Sequence, residues 1–174
     1  MIDINNSYDL SNFAVPGVLY FVKGGLLNIM EKGKTRNTYP LIELDLGKLR
    51  NNIDQIVSRC SDRGVSVTGV IKGFTGIPEG VKVFADAGFD YIASSRLEQI
   101  QGAIDYGIKA DYMLIRVPML SEIESVIRLT DISLNSEVEV LKALSKEALK
   151  QGKVHKVILM TDLGDLREGF WDKK

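Results

Sequence analysis

Residues 65–80 read VSVTGVIKGFTGIPEG. Val65, Val67, Val70 and Ile71 make a β-branched run that predicts a buried strand. Pro78 suits the first turn of a helix, where its missing N–H costs nothing. Between the two stands Lys72, a lone ammonium where a strand hands over to a loop. In folds built on parallel strands, ligands collect at that end of the sheet. A lysine there can simply reach out to solvent along its aliphatic stem. It can also be an amine in a partly desolvated pocket, where it serves as a nucleophile or Schiff-base former. Gly69, Gly73, Gly76 and Gly80 let a ligand approach the backbone, but their spacing matches neither nucleotide-loop pattern, G-x-x-x-x-G-K-[ST] or G-x-G-x-x-G.

Working outward, the same strand-to-helix alternation recurs. Pro40–Leu46 reads as a short strand, with Asp45 placed to cap the next helix. Leu46, Leu49, Ile53, Ile56, Val57 and Cys60 then fall at helical spacing up to Gly64. After the Lys72 strand, a helix from Pro78 carries Val81, Phe84 and Ala85 on one face and stops at Gly88. Strands are predicted at Phe89–Ser95, Asp111–Pro118, Asp131–Asn135 and His155–Gly164. Capping-box patterns begin the intervening helices at Ser95–Glu98, Ser121–Glu124 and Ser136–Glu139, and Gly107 and Gly152 end two of them. Counted from the Lys72 strand, this makes five strands with helices between them, the pattern of βαβ units on a parallel sheet. Such a run is either a small open sheet or the first part of a (β/α)8 barrel, which takes about 250 residues.

The composition excludes several classes. The 174 residues suit one domain, and 45% apolar content builds a core. A formal net charge of -1 gives no reason to expect a nucleic-acid or anionic-membrane partner. One cysteine, Cys60, makes no internal disulfide, and one histidine leaves too few ligands for a transition-metal cluster. Phe13–Met30 is apolar but interrupted by Pro16, Lys23 and glycines, so it reads as a docking helix or appended arm rather than a membrane span. Glu31–Thr38 reads as a linker, giving an arm and linker over residues 1–38 and a domain over 39–174. With no secretory signal pattern, a cytoplasmic location is expected.

A second constellation is TDLGDLREGF, Thr161–Phe170, which crowds Asp162, Asp165, Arg167 and Glu168 at the end of the last strand. Such a loop is ordinarily solvated surface, but parallel strands put it at the same sheet end as Lys72. Arg167 is therefore a candidate clamp for a carboxylate or an anionic ring oxygen. Ser94, Ser95, Arg116, Ser133 and Asn135 occupy equivalent strand ends. The serines and asparagine read first as helix caps, and Arg116 as the partner of a nearby carboxylate. His155 begins its strand, at the opposite end from Lys72, and reads as structural.

IELDLGKLRNNI, GVIKGFTGIPEG, FDYIASSRLEQI, SLNSEVEVLKAL and above all MTDLGDLREGF together resemble the N-terminal domain of the alanine racemase family, more closely its alanine/ornithine racemase branch. The resemblance runs from about Tyr39 to Trp171. It implies a pyridoxal-phosphate-binding (β/α)8 barrel, of which about five βα units lie in this chain, and a β-rich domain beyond it. It further implies a homodimer acting on a small amino acid. Lys72 matches the family's aldimine lysine, and Arg167 matches the arginine that contacts the cofactor's phenolic oxygen and the substrate carboxylate. The family's phosphate-holding tyrosine aligns with Gly76, and its modified lysine lies near Met160; both departures favour the ornithine-type branch.

The function this implies is a pyridoxal-phosphate-dependent amino-acid racemase. Lys72 would be one of two racemisation bases, and a tyrosine from outside these residues the other. The family's pyridine-nitrogen arginine and much of its phosphate site also belong to segments not found here. Two alternatives stand beside it: a non-catalytic pyridoxal-phosphate homeostasis protein, and an inactive truncated product. An open five-strand sheet would leave both its edge strands exposed.

Overall fold

A computed structural model of the chain describes residues 19–23 and 41–171. Five parallel strands form one sheet in chain order: β3 (Thr68–Val70), β4 (Tyr91–Ser94), β5 (Tyr112–Leu114), β6 (Ile132–Asn135) and β7 (Lys156–Leu159). Helices α2 (Pro78–Ala85), α3 (Leu97–Asp105), α4 (Ile123–Leu129) and α5 (Val138–Gln151) connect successive strands. This is the five-unit part of a (β/α) barrel. Ahead of it, β2 (Leu41–Asp45) leads straight into α1 (Leu46–Ser61). β2 pairs in parallel with β1 (Leu19–Lys23) in a separate two-stranded sheet.

Two apolar layers hold the sheet. On the helix side, Ile92, Tyr112 and Leu114 pack with Val81, Ile100, Val126, Ile127, Val140 and Leu144. The alternate residues Ala93, Met113 and Ile132 form a smaller cluster on the other face with Tyr91, Ile115 and Leu134. The period of two along each strand produces this division. Val157, Ile158 and Leu159 of β7 are 46%, 41% and 57% exposed, so the outer strand is open on both faces.

Local chemistry sets the element ends. Asp45 caps α1, its Oδ1 accepting the Lys48 N–H at 3.0 Å. Pro78 opens α2. Gly152 ends α5 at φ 64°, the left-handed conformation that glycine enters without a Cβ penalty.

Several expectations are corrected. The three capping boxes do not form: Arg96 and Glu137 hold the N-cap positions of α3 and α5 without a side-chain cap bond. Before α4, Glu122 closes a 3-10 turn (Leu120–Glu122) by accepting the Met119 N–H at 3.1 Å. The strands are also shorter than the β-branched runs, and Val65 is 54% exposed because parallel pairing begins only at Thr68. Ile56 is exposed although it fits the helical spacing of α1, whose one fully buried residue is Ile53. Within Phe13–Met30, residues Leu19–Lys23 are a strand, not a docking helix; LYFV is rich in strand-favouring side chains. The rest of that arm and the Glu31–Thr38 linker lie outside the described residues.

Candidate active site

β3 delivers Lys72 to the C-terminal end of the sheet. Ile71 is fully buried, and its N–H donates to the Ala93 carbonyl of β4 at 2.9 Å, fixing the last point of the strand. The chain then turns sharply through a 3-10 turn (Lys72–Phe74). Thr75 adopts φ 57° and Gly76 φ 70°, and the Gly76 N–H returns to the Ile71 carbonyl at 3.0 Å. A left-handed threonine is uncommon and costs roughly 1–3 kcal/mol. Phe74 anchors the turn against Phe84 of α2, with ring centroids 5.5 Å apart. With Ile71 buried and Phe74 half-buried, the intervening Lys72 is left exposed.

Lys72 lines a cavity of about 1470 Å³ together with Gly73, Gly76, Ser95, Arg96, Gln99 and Arg116, among others. Its walls are the loops after β3, β4 and β5 and the exposed sides of α3 and α4. Arg116 ties two of those loops together. Its Nε donates to the Ser95 carbonyl at 2.7 Å, and its two terminal nitrogens reach the Glu122 carboxylate at 2.8 and 2.7 Å. The Arg116 bond and the Met119 N–H hold the Glu122 carboxyl below the usual carboxylate range, against a desolvation that opposes them. Arg116 is thus the neighbour-pairing arginine that the sequence suggested, and it shapes the cavity wall.

Gly73 faces open space, with no atom within 4 Å of where a Cβ would stand. At Gly76 a Cβ would lie 2.8 Å from Gln99 Cβ, so the lysine turn sits directly on α3. The side chain of Lys72 has no hydrogen bond or ion pair with any described residue. A primary amine beside a roomy cavity, with glycine backbone on one side, fits a carbonyl-bearing ligand.

Arg167 is exposed and does not line the Lys72 cavity. It sits in the loop after β7, at the same end of the sheet. Asp162 organises that loop: its Oδ1 accepts the Gly164 N–H at 2.7 Å and the Leu166 N–H at 3.3 Å. Thr161 and Phe170 bridge its base. Asp165 is exposed and Glu168 half-buried.

Ser94 and Asn135 face the helix layer rather than the cavity. Asn135 Nδ2 donates to Ser133 Oγ at 3.0 Å, and Ser133 Oγ lies 2.8 Å from His155 Nε2. Ser133 therefore gives its proton to the imidazole, and His155 Nδ1 donates to the Thr130 carbonyl at 3.2 Å. Burial lowers the His155 pKa, consistent with this neutral tautomer. Asn135 Oδ1 is buried and has no partner among the described residues. A smaller hollow of about 480 Å³ opens elsewhere, beside Tyr112, Asp131 and Lys153. Two of its polar groups are engaged: Asp131 accepts the Tyr112 N–H at 2.7 Å, and Lys153 donates to the Ile127 and Arg128 carbonyls at 3.1 and 2.9 Å.

Residues 44–174 match the family described as alanine racemase, N-terminal domain. The chain belongs to this family. It is 42% identical over 134 residues to the ornithine racemase of Acetoanaerobium sticklandii, covering 77% of this chain and 37% of that protein. It is 31% identical over 136 residues to the lysine racemase of Thermotoga maritima, covering 78% and 38%. The fold is similar to that of the Clostridium difficile alanine racemase, with a TM-score of 0.62 at 20% identity over 74% of this chain and 35% of that one. The alanine racemase-family chain thus spans a little over a third of the length of the curated relatives it matches.

Gln99, Arg96 and Glu122 are site residues that the sequence reading passed over. Arg96 and Glu122 sat inside patterns that read as helix starts, Gln99 follows one directly, and nothing local marks them as cavity wall. Among the described residues, no helix is long and apolar enough to cross a membrane.

Proposed function

We propose that the chain forms the cofactor-binding barrel portion, residues 39–174, of a pyridoxal-phosphate-dependent amino-acid racemase. Lys72 carries the reading: an unengaged primary amine at the end of the first barrel strand, lining a large cavity. The named activities of the two relatives above favour ornithine or a similar diamino acid as substrate.

Lys72 would hold the cofactor through its Nζ by condensing with the aldehyde, water leaving. When bound, the cofactor draws electron density from the substrate's α-carbon and makes its proton acidic. The Lys72 amine would take or return that proton on one face. A second group, from outside the described residues, serves the other face. Arg167 would clamp the substrate carboxylate and the cofactor's phenolic oxygen from the β7 loop; it has no ion pair with any described residue and so keeps its fork free. The Arg116–Glu122 pair would keep the cavity wall in place without touching substrate. The assembled protein would be a cytoplasmic homodimer, with residues 1–38 as an arm.

The experiment is to incubate the full-length protein and cofactor with L-ornithine, L-lysine or L-alanine and follow optical rotation. Loss of rotation with a diamino acid, abolished by Lys72→Ala, supports the proposal. Cofactor uptake without racemisation of any amino acid would favour the homeostasis reading instead.

A further inference from the structure

We infer that Gln99, with Arg96, forms an oxyanion-recognising corner of the Lys72 cavity, its side-chain amide donating to a phosphate or carboxylate. The inference rests on the cofactor reading above.

The hydrogen bonds around Ser94 orient the Gln99 amide. Ser94 Oγ accepts the Arg96 N–H at 3.1 Å, so its own proton is free to donate. It lies 2.6 Å from Gln99 Oε1 and gives that proton to the oxygen. The amide oxygen is therefore used against β4, and Nε2 keeps its two donors. No described residue accepts them. Gln101, which lines the same cavity, shows the contrast: its Nε2 donates to Asp105 at 2.7 Å and its Oε1 accepts from Arg128 at 2.8 Å.

The cations lining the cavity divide in the same way. Arg116 and Arg128 are engaged with Glu122 and Gln101. Lys72 and Arg96 have no side-chain partner among the described residues. Three sets of unspent donors, on Lys72, Arg96 and Gln99, thus line one cavity at the end of β3 and β4. With Lys72 committed to an aldehyde, Arg96 and Gln99 remain for the anionic part of the ligand. Glu98 also lines the cavity, but successive residues of a helix do not face one another. Gln99 is also held in position, since its Cβ and Cγ pack on the Gly76 backbone. A donor fixed on both sides recognises a charge at little entropic cost.

The test uses full-length protein titrated with pyridoxal phosphate, with pyridoxal, and with inorganic phosphate as competitor. Gln99→Glu keeps the oxygen that Ser94 needs, removes the N–H donors and adds a negative charge, so its thermal midpoint should match wild type. Its affinity for pyridoxal phosphate should fall about tenfold or more, while pyridoxal binds as before and phosphate competes less. Arg96→Met should give the same selective loss. If pyridoxal phosphate binding is unchanged but substrate KM rises at constant kcat, the oxyanion is the substrate carboxylate, and the corner stands. Equal losses for pyridoxal and its phosphate, or no change in any of these, overturn it. Wild-type protein that takes up no pyridoxal phosphate sinks the cofactor reading, and this assignment with it.

Discussion

Gly69→Ala tests how tightly the strand that carries Lys72 is packed. The added Cβ would stand 2.3 Å from Phe84 Cδ1 and 2.8 Å from Phe89 Cδ2. An ordinary contact is 3.4–4 Å, so at least one ring must withdraw by about an ångström. Phe84 has little room: it is 9% exposed and packs on Phe89 at 5.2 Å and Phe74 at 5.5 Å between ring centroids. Overpacking of this kind costs about 1–3 kcal/mol. For a chain of this size that lowers the thermal midpoint by roughly 2–12 °C. Gly73→Ala is the matched control, the same added methyl four residues on, with nothing within 4 Å. It should stay within about 0.5 kcal/mol of wild type. Thermal unfolding followed by circular dichroism compares the two directly. Equal midpoints for both variants would mean that β3 is not clamped by the phenylalanines, and that Lys72 is not held by a rigid strand end.

Other perturbations address the wall and the loop. Glu122→Gln leaves Arg116 short of its carboxylate and should cost about 1.5–3 kcal/mol, read by urea unfolding. Because the folded pKa of Glu122 is depressed, its contribution is complete above the ordinary carboxylate pKa and lost as pH falls through the folded value; the variant should lack that acid-side slope. His155 is held neutral by burial, so stability should fall as pH drops below the ordinary histidine value of 6.5 and the unfolded chain binds the extra proton. A His155→Gln protein with the same slope would contradict that. Arg167→Lys keeps the charge but loses the planar fork, and should keep cofactor binding while kcat/KM falls about 10- to 100-fold. Unchanged kinetics would make Arg167 a solvated loop residue.

The alternation of strands and helices was legible because it rests on local rules. The apolar period and the glycines at Gly64, Gly88, Gly107 and Gly152, all at positive φ, mark it residue by residue. Lys72 was legible for the same reason, as an interruption of an apolar run. The caps were misread by a residue or two: Ser94 rather than Ser95 accepts the Arg96 N–H, and Glu122 rather than Glu124 reaches back, to the Met119 N–H. The Arg116 bond to Ser95 spans 21 residues, and no local pattern announces it. Gln99 was invisible too: its role depends on which end of an amide Ser94 occupies, a fact of packing alone. The residues that build the cavity wall are thus the least readable part of the site.

The central claim is that Lys72 is the lysine that holds the cofactor. Full-length protein incubated with pyridoxal phosphate, reduced with borohydride and digested should yield one pyridoxylated peptide, carrying the label on Lys72, and Lys72→Ala should yield none. A label on Lys82, Lys153 or any other lysine, with Lys72 unmodified, would contradict the account.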